Sequence, residues 1–122
     1  MDPRPAPDEL RAALLADRER TADRAAAMAL DLDHVVAATA LVATDDEHDP
    51  EGSTIAFDRA QLSAVLDQAR RHLTEIDAAL ARLDGGTYGL CTRCGEPIGA
   101  ERLLVRPATP TCIGCASAGR AG

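Results

Sequence analysis

The stretch GTYGLCTRCGEPIGAERLLVRPATPTCIGC, residues 86–115, decides how the rest of the chain is read. Cys91 and Cys94 stand in CTRC and Cys112 and Cys115 in CIGC, with 17 residues between the pairs. Two CxxC pairs at this separation read as a four-thiolate zinc site. Within each pair the short loop lets two thiolates approach one ion from the same side, and the second pair completes a tetrahedron. The cross-link offsets chain entropy that the few apolar residues of this stretch could not. Disulfides would need an oxidising compartment, whereas the start MDPRPAPDEL lacks the basic and apolar regions of a secretory signal. A redox CxxC would sit at the strand-to-helix junction of a βαβ unit, and no such unit is visible. Four protein ligands leave the ion no open position, so the expectation is one structural Zn2+ and no metal catalysis.

Working outward, Gly89, Gly95 and Gly99 supply tight turns around the ligands, and Ile98, Leu103, Leu104 and Ile113 are the expected small core. After Cys115 only ASAGRAG remains, too short and glycine-rich for a long helix. Upstream, Asp84-Gly85-Gly86 ends a helix, with Gly85 suited to a left-handed cap. That helix opens at a Ser53 or Thr54 cap and carries the seam Ile55, Leu62, Val65 with Leu66, Ala69, Leu73, Ile76, Leu80 and Leu83. A matching helix opens at Pro7 or Asp8 and runs to about Ala43 without glycine or further proline. Its seam is Leu10, Leu14, Thr21, Ala25, Met28, Leu32, Val35, Thr39 and Val42. Asp17 interrupts this seam, so looser packing is expected there. Helices of ~35 residues would run ~50 Å, which suits a coiled coil better than a small globule.

Between the helices, TDDEHDPEGST at 44–54 carries breakers at Pro50 and Gly52 and five carboxylates: Asp45, Asp46, Glu47, Asp49 and Glu51. The expected fold is therefore mainly α: a long antiparallel helical hairpin, or coiled coil, with a small four-cysteine zinc-finger module at its base. The expected divisions are a leader at 1–7, the hairpin at 8–84 with an acidic tip loop at 44–54, the zinc finger at 85–116 and a short flexible tail at 117–122.

Composition narrows the function classes. Aromatic residues make up 2% of the chain, with no Trp, one Tyr and one Phe, which fits paired helices rather than a thick core. The formal net charge is −7, and all cationic side chains other than histidine are arginines. An acidic chain repels phosphate backbones, so direct DNA binding is not expected, and Arg93, Arg102, Arg106 and Arg120 are too mixed with Glu96 and Glu101 for a basic face. No apolar stretch is long enough to span a membrane. No phosphate loop, nucleophile elbow or nucleophile–base pair is present, so an enzyme is not expected. The default location is the cytoplasm. Of the histidines, His34 and His72 read as solvated or partly packed helix residues, while His48 lies between Glu47 and Asp49, whose charges favour its protonated form.

The stretch 86–115 closely resembles the DksA/TraR-type zinc finger in its YG before the first cysteine, CGEPI after the second, RL at 102–103 and RP at 106–107. The hairpin at 8–84 resembles the coiled coil of the same family. The resemblance implies a cytoplasmic bacterial regulator that binds RNA polymerase through its secondary channel and places an acidic tip near the active site to modulate initiation. The family's DPxDxA tip pattern stands here as Asp49-Pro50-Glu51-Gly52-Ser53-Thr54, so Gly52 replaces the second aspartate and Thr54 the alanine. The family's interface for guanosine tetraphosphate is matched by Arg106, but Glu75 and Ala116 stand at the other basic positions, which counts against synergy with that nucleotide. The residues after Cys115 are not expected to supply the long C-terminal helix of larger members. The alternative reading from the residues is a zinc-hairpin adaptor for another protein partner, and behind it a DNA-binding zinc finger.

Overall fold

A computed structural model of the chain describes residues 6–42 and 50–121, with side chains at 6–38, 40 and 54–118. Four helices follow one another: α1 (Pro7–Val42), α2 (Pro50–Gly85), α3 (Ala100–Val105) and α4 (Ile113–Ala121). Among the described residues there is no strand, only an isolated antiparallel bridge between Leu90 and Pro97. The fold is mainly α, with two long helices and four clustered cysteines, as the periodicity and the CxxC pairs predict.

Local chemistry accounts for the helix ends. Pro7 opens α1, where a missing N–H costs nothing and the ring presets φ. Asp8 and Glu9 in the first turn face the positive end of the helix dipole. α2 opens at Pro50 rather than at Ser53 or Thr54, and Gly52 lies inside its first turn. Pro50 takes the favoured first position, and one glycine costs only about 1 kcal/mol against alanine. At the other end Gly85 is the last helical residue, and Gly86, with φ of 80°, takes the left-handed position expected of Gly85. Thr87 N–H then donates to the Arg82 carbonyl at 2.9 Å, the wrap-around bond that stops a helix at such a residue.

The chain forms two compact units, one of Met1–Glu19 with His72–Gly122 and one of Arg20–Arg71. In the first, Leu14 and Ile76 are fully buried and pack with Ala79 and Ala108, while Leu80, Leu83 and Tyr88 close over them. Polar pairs flank this core: Arg11 with Asp84, Arg18 Nε with Asp77 Oδ1 at 2.7 Å, and His72 Nε2 with Asp17 Oδ2 at 2.8 Å. Arg11 of α1 meets Asp84 of α2, and Asp17 and Arg18 meet His72 and Asp77, a falling trend that marks an antiparallel pair. Asp17 therefore does not merely loosen the seam. It meets His72, which is half-buried and lies 3.9 Å from Glu75 through Nδ1.

In the second unit Thr21, Ala25, Leu66 and Ala69 are buried, with Met28, Leu32, Val35, Ile55 and Leu62 half-buried beside them. The predicted seam holds except at Val65, which is 43% exposed. Successive helical residues diverge by about 100°, so a seam that takes Leu66 and Ala69 turns Val65 away. Thr39 and Val42 have side chains outside the described residues.

Candidate metal centre

The knuckle at Cys91–Cys94 forms because Gly95 can adopt a positive φ of 78°. Its N–H donates back to the Cys91 carbonyl at 2.9 Å, and Cys91 N–H donates to Glu96 O at 2.8 Å. The second knuckle is also a helix start. Cys112 precedes α4, its Sγ accepts from Cys115 N–H at 3.4 Å, and Ala116 N–H donates to the Cys112 carbonyl at 2.9 Å. A cap of this kind explains why ASAGRAG, expected as a tail without a long helix, continues a short one. The two knuckles are tied together by Thr92 N–H donating to Pro110 O at 2.9 Å.

This framework brings Cys91, Cys94, Cys112 and Cys115 together, with their Sγ atoms all within 4.8 Å of one another. All four are free thiols, so no disulfide competes for them. A tetrahedron with Zn–S bonds of about 2.3 Å has sulfur–sulfur edges of about 3.8 Å. The Cys94–Cys112 separation of 3.9 Å matches such an edge. The thiols also show what a cation would relieve. Cys91 is held down to about 6, first by hydrogen bonding from the Cys94 backbone and then from that of Cys112. Cys115 is pushed up to about 12, first by the Cys112 thiol and then by those of Cys91 and Cys94. One thiolate forms readily and the crowd around it resists further ionisation, until a divalent cation supplies the missing charge. The four clustered cysteines fit one structural zinc ion.

The module's apolar core is smaller than expected. Ile98 and Leu103 are buried with Cys91, and Tyr88, Cys112 and Cys115 pack against them. Leu104 and Ile113, expected in this core, are 55% and 65% exposed. α3 has only six residues, too few for its apolar letters to reveal which face is inward.

Sequence reasoning missed how the strap 106–111 is held. Arg102, read as part of a sparse basic face, turns inward: Nε donates to Thr111 O at 2.9 Å and Nη2 to Thr109 Oγ1 at 3.2 Å. Tyr88 donates its hydroxyl to Pro107 O at 2.9 Å, and burial pushes its phenol above the usual range. Arg82 Nη2 reaches Thr109 O at 3.5 Å. The signal was present in the RPATPT run, because prolines cannot donate and strap carbonyls near a core need outside donors. Arg93 Nη1 reaches Cys115 O at 3.4 Å, and Arg106 is exposed. The tip residues Asp45, Asp46, Glu47 and Asp49, together with His48, lie outside the described residues, as does the side chain of Glu51.

Residues 86–118 match the model of the prokaryotic dksA/traR C4-type zinc finger. The finger is of the dksA/traR type. The RNA polymerase-binding transcription factor DksA of Caulobacter vibrioides is 46% identical over 50 residues, which cover 41% of this chain and 35% of that protein. The general stress protein 16O of Bacillus subtilis is 36% identical over 62 residues, 51% of this chain and 38% of its own length. The chain thus matches little more than a third of the length of these two relatives. In structure, the transcription factor DksA2 from Pseudomonas aeruginosa superposes with a TM-score of 0.71 at 28% identity, covering 94% of this chain and 83% of that one. Among the described residues no helix is long and apolar enough to cross a membrane.

Proposed function

We propose that this chain is a zinc-stabilised bacterial transcription regulator that binds RNA polymerase directly and works in the cytoplasm without catalysing a reaction. Its metal ligands are Cys91, Cys94, Cys112 and Cys115. Its hairpin enters the secondary channel and modulates initiation through the acidic tip of Asp45, Asp46, Glu47, Asp49 and Glu51. The observation that carries this reading is the joint likeness: the finger matches at 86–118, and the fold follows that of DksA2 over 94% of the chain. Electrostatics supports it, because five carboxylates within seven residues suit a basic, magnesium-containing cavity. Arg106 offers one contact toward guanosine tetraphosphate, but Glu75 and Ala116 supply no cation at the other positions, so the nucleotide contributes little.

The test is binding of the purified protein to its cognate core polymerase in competition with another secondary-channel factor. The wild type and a variant with the five tip carboxylates neutralised are compared. Displaceable binding by the wild type is expected, with the variant weakened in affinity or regulation. Absence of binding at micromolar concentrations would remove the polymerase reading and favour an adaptor, for which the exposed Leu104, Val105 and Ile113 offer an apolar contact.

A further inference from the structure

We infer that Arg102 is a positioning residue for the metal: its guanidinium holds the strap that delivers Cys112 and Cys115 to the first pair of thiols. This rests on the ligand assignment above. The second pair follows its partner pair by 17 residues, and the metal must normally meet the entropic cost of closing such a loop. Here part of the closing is done by hydrogen bonds that involve no sulfur. Arg102 grips the residue immediately before Cys112 through Thr111 O and, with its second nitrogen, the hydroxyl of Thr109. Thr109 is 4% exposed, and its own hydroxyl donates on to Thr111 O at 3.2 Å, so the contact is a shielded triangle rather than a surface pair. The strap also accepts from Thr92 N–H through Pro110 O, and Thr92 lies between the first two cysteines.

Arg102 and Thr92 therefore hold the same three-residue segment, one from α3 and one from the first knuckle. Charge-assisted donation by a forked guanidinium is both stronger and more directional than a neutral bond. Lysine at 102 would keep the charge but lose the fork. The consequence is that these bonds carry part of the cost of ordering the strap, a cost the metal would otherwise meet alone.

The experiment is a chelator competition for zinc on the full chain, comparing wild type with Arg102→Ala, Arg102→Lys and Thr109→Val. Helix content and its thermal loss are followed by circular dichroism, and cobalt(II) serves as a spectroscopic stand-in for zinc. Outer-shell partners of metal ligands typically carry about 10- to 100-fold in affinity. Arg102→Ala is expected to lose zinc affinity within that range. Arg102→Lys should recover part of the loss and Thr109→Val should show a smaller one. The tetrahedral thiolate cobalt spectrum at saturation should stay unchanged, because no ligand has been removed. Wild-type zinc affinity in Arg102→Ala, with or without lower thermal stability, would overturn the inference and leave the ligand assignment standing. A wild-type chain that binds no zinc would overturn both.

Discussion

Replacing Ile76 with alanine tests the packing of the first compact unit at its centre. Ile76 is 0% exposed and shares its cluster with Leu14, Ala79 and Ala108. The substitution removes three carbons, and at about 0.8 kcal/mol per buried CH2 the lost transfer free energy is about 2.4 kcal/mol. A cavity term adds to this, because Ala79 and Ala108 have no side-chain reach with which to fill the space. Only Leu14, Leu80, Leu83 and Tyr88 can lean in, and Tyr88 is tied to Pro107 O through its hydroxyl. The expected loss is therefore about 3–4 kcal/mol, in the middle of the range seen for such truncations. Urea unfolding of the zinc-loaded protein, followed by circular dichroism, measures it as a lower midpoint at unchanged slope. Leu104→Ala on α3 is the matched control, since Leu104 is 55% exposed and its loss should change stability by about 0.5 kcal/mol or less. A loss below about 1 kcal/mol at Ile76, or equal losses at the two sites, would refute the assigned packing.

Other perturbations separate the remaining parts. Cys112→Ser should abolish stoichiometric zinc by elemental analysis and melt the finger, while most helical ellipticity persists because α1 and α2 hold the bulk of the helical residues. Zinc binding should release protons at pH 7, because Cys94 and Cys115 both lie above their ordinary thiol range in the metal-free cage and must ionise to ligate. Calorimetry in buffers of different ionisation enthalpy would read at least two protons per zinc, and affinity should fall as pH falls because protons compete for the thiolates. His72→Ala should cost about 1 kcal/mol or less in thermal denaturation, since its pair with Asp17 is partly exposed. Asp49→Asn should preserve folding and reduce regulation in an in vitro transcription assay; equal activity would shift the working tip residue elsewhere.

What could be read from the sequence was whatever depends on one residue's type at one spacing. The cysteine pairs are of this kind, and so are Leu10, Leu14, Ala25, Leu66 and Ile76, which repeat at helical intervals and are buried. What depends on two distant segments was not legible. The Asp17–His72 pair needs the register between helices whose partners are 55 residues apart, and neither letter announces the other. The Arg102 clamp ends on a backbone carbonyl, which has no letter at all. Ile113 reads as core by its type, yet capping by Cys112 turns it onto the first, outward turn of α4.

The three polar pairs between α1 and α2 have a consequence for how the two helices are aligned. Small buried residues such as Ala79 discriminate less sharply than Leu14 or Ile76 between one alignment and another shifted by a turn of about 5.4 Å. Arg11–Asp84, Arg18–Asp77 and Asp17–His72 act as the teeth of a ratchet: a slip of one turn disengages all three together. Alignment in the first unit is thereby reinforced by charged groups whose attraction weakens as ionic strength rises.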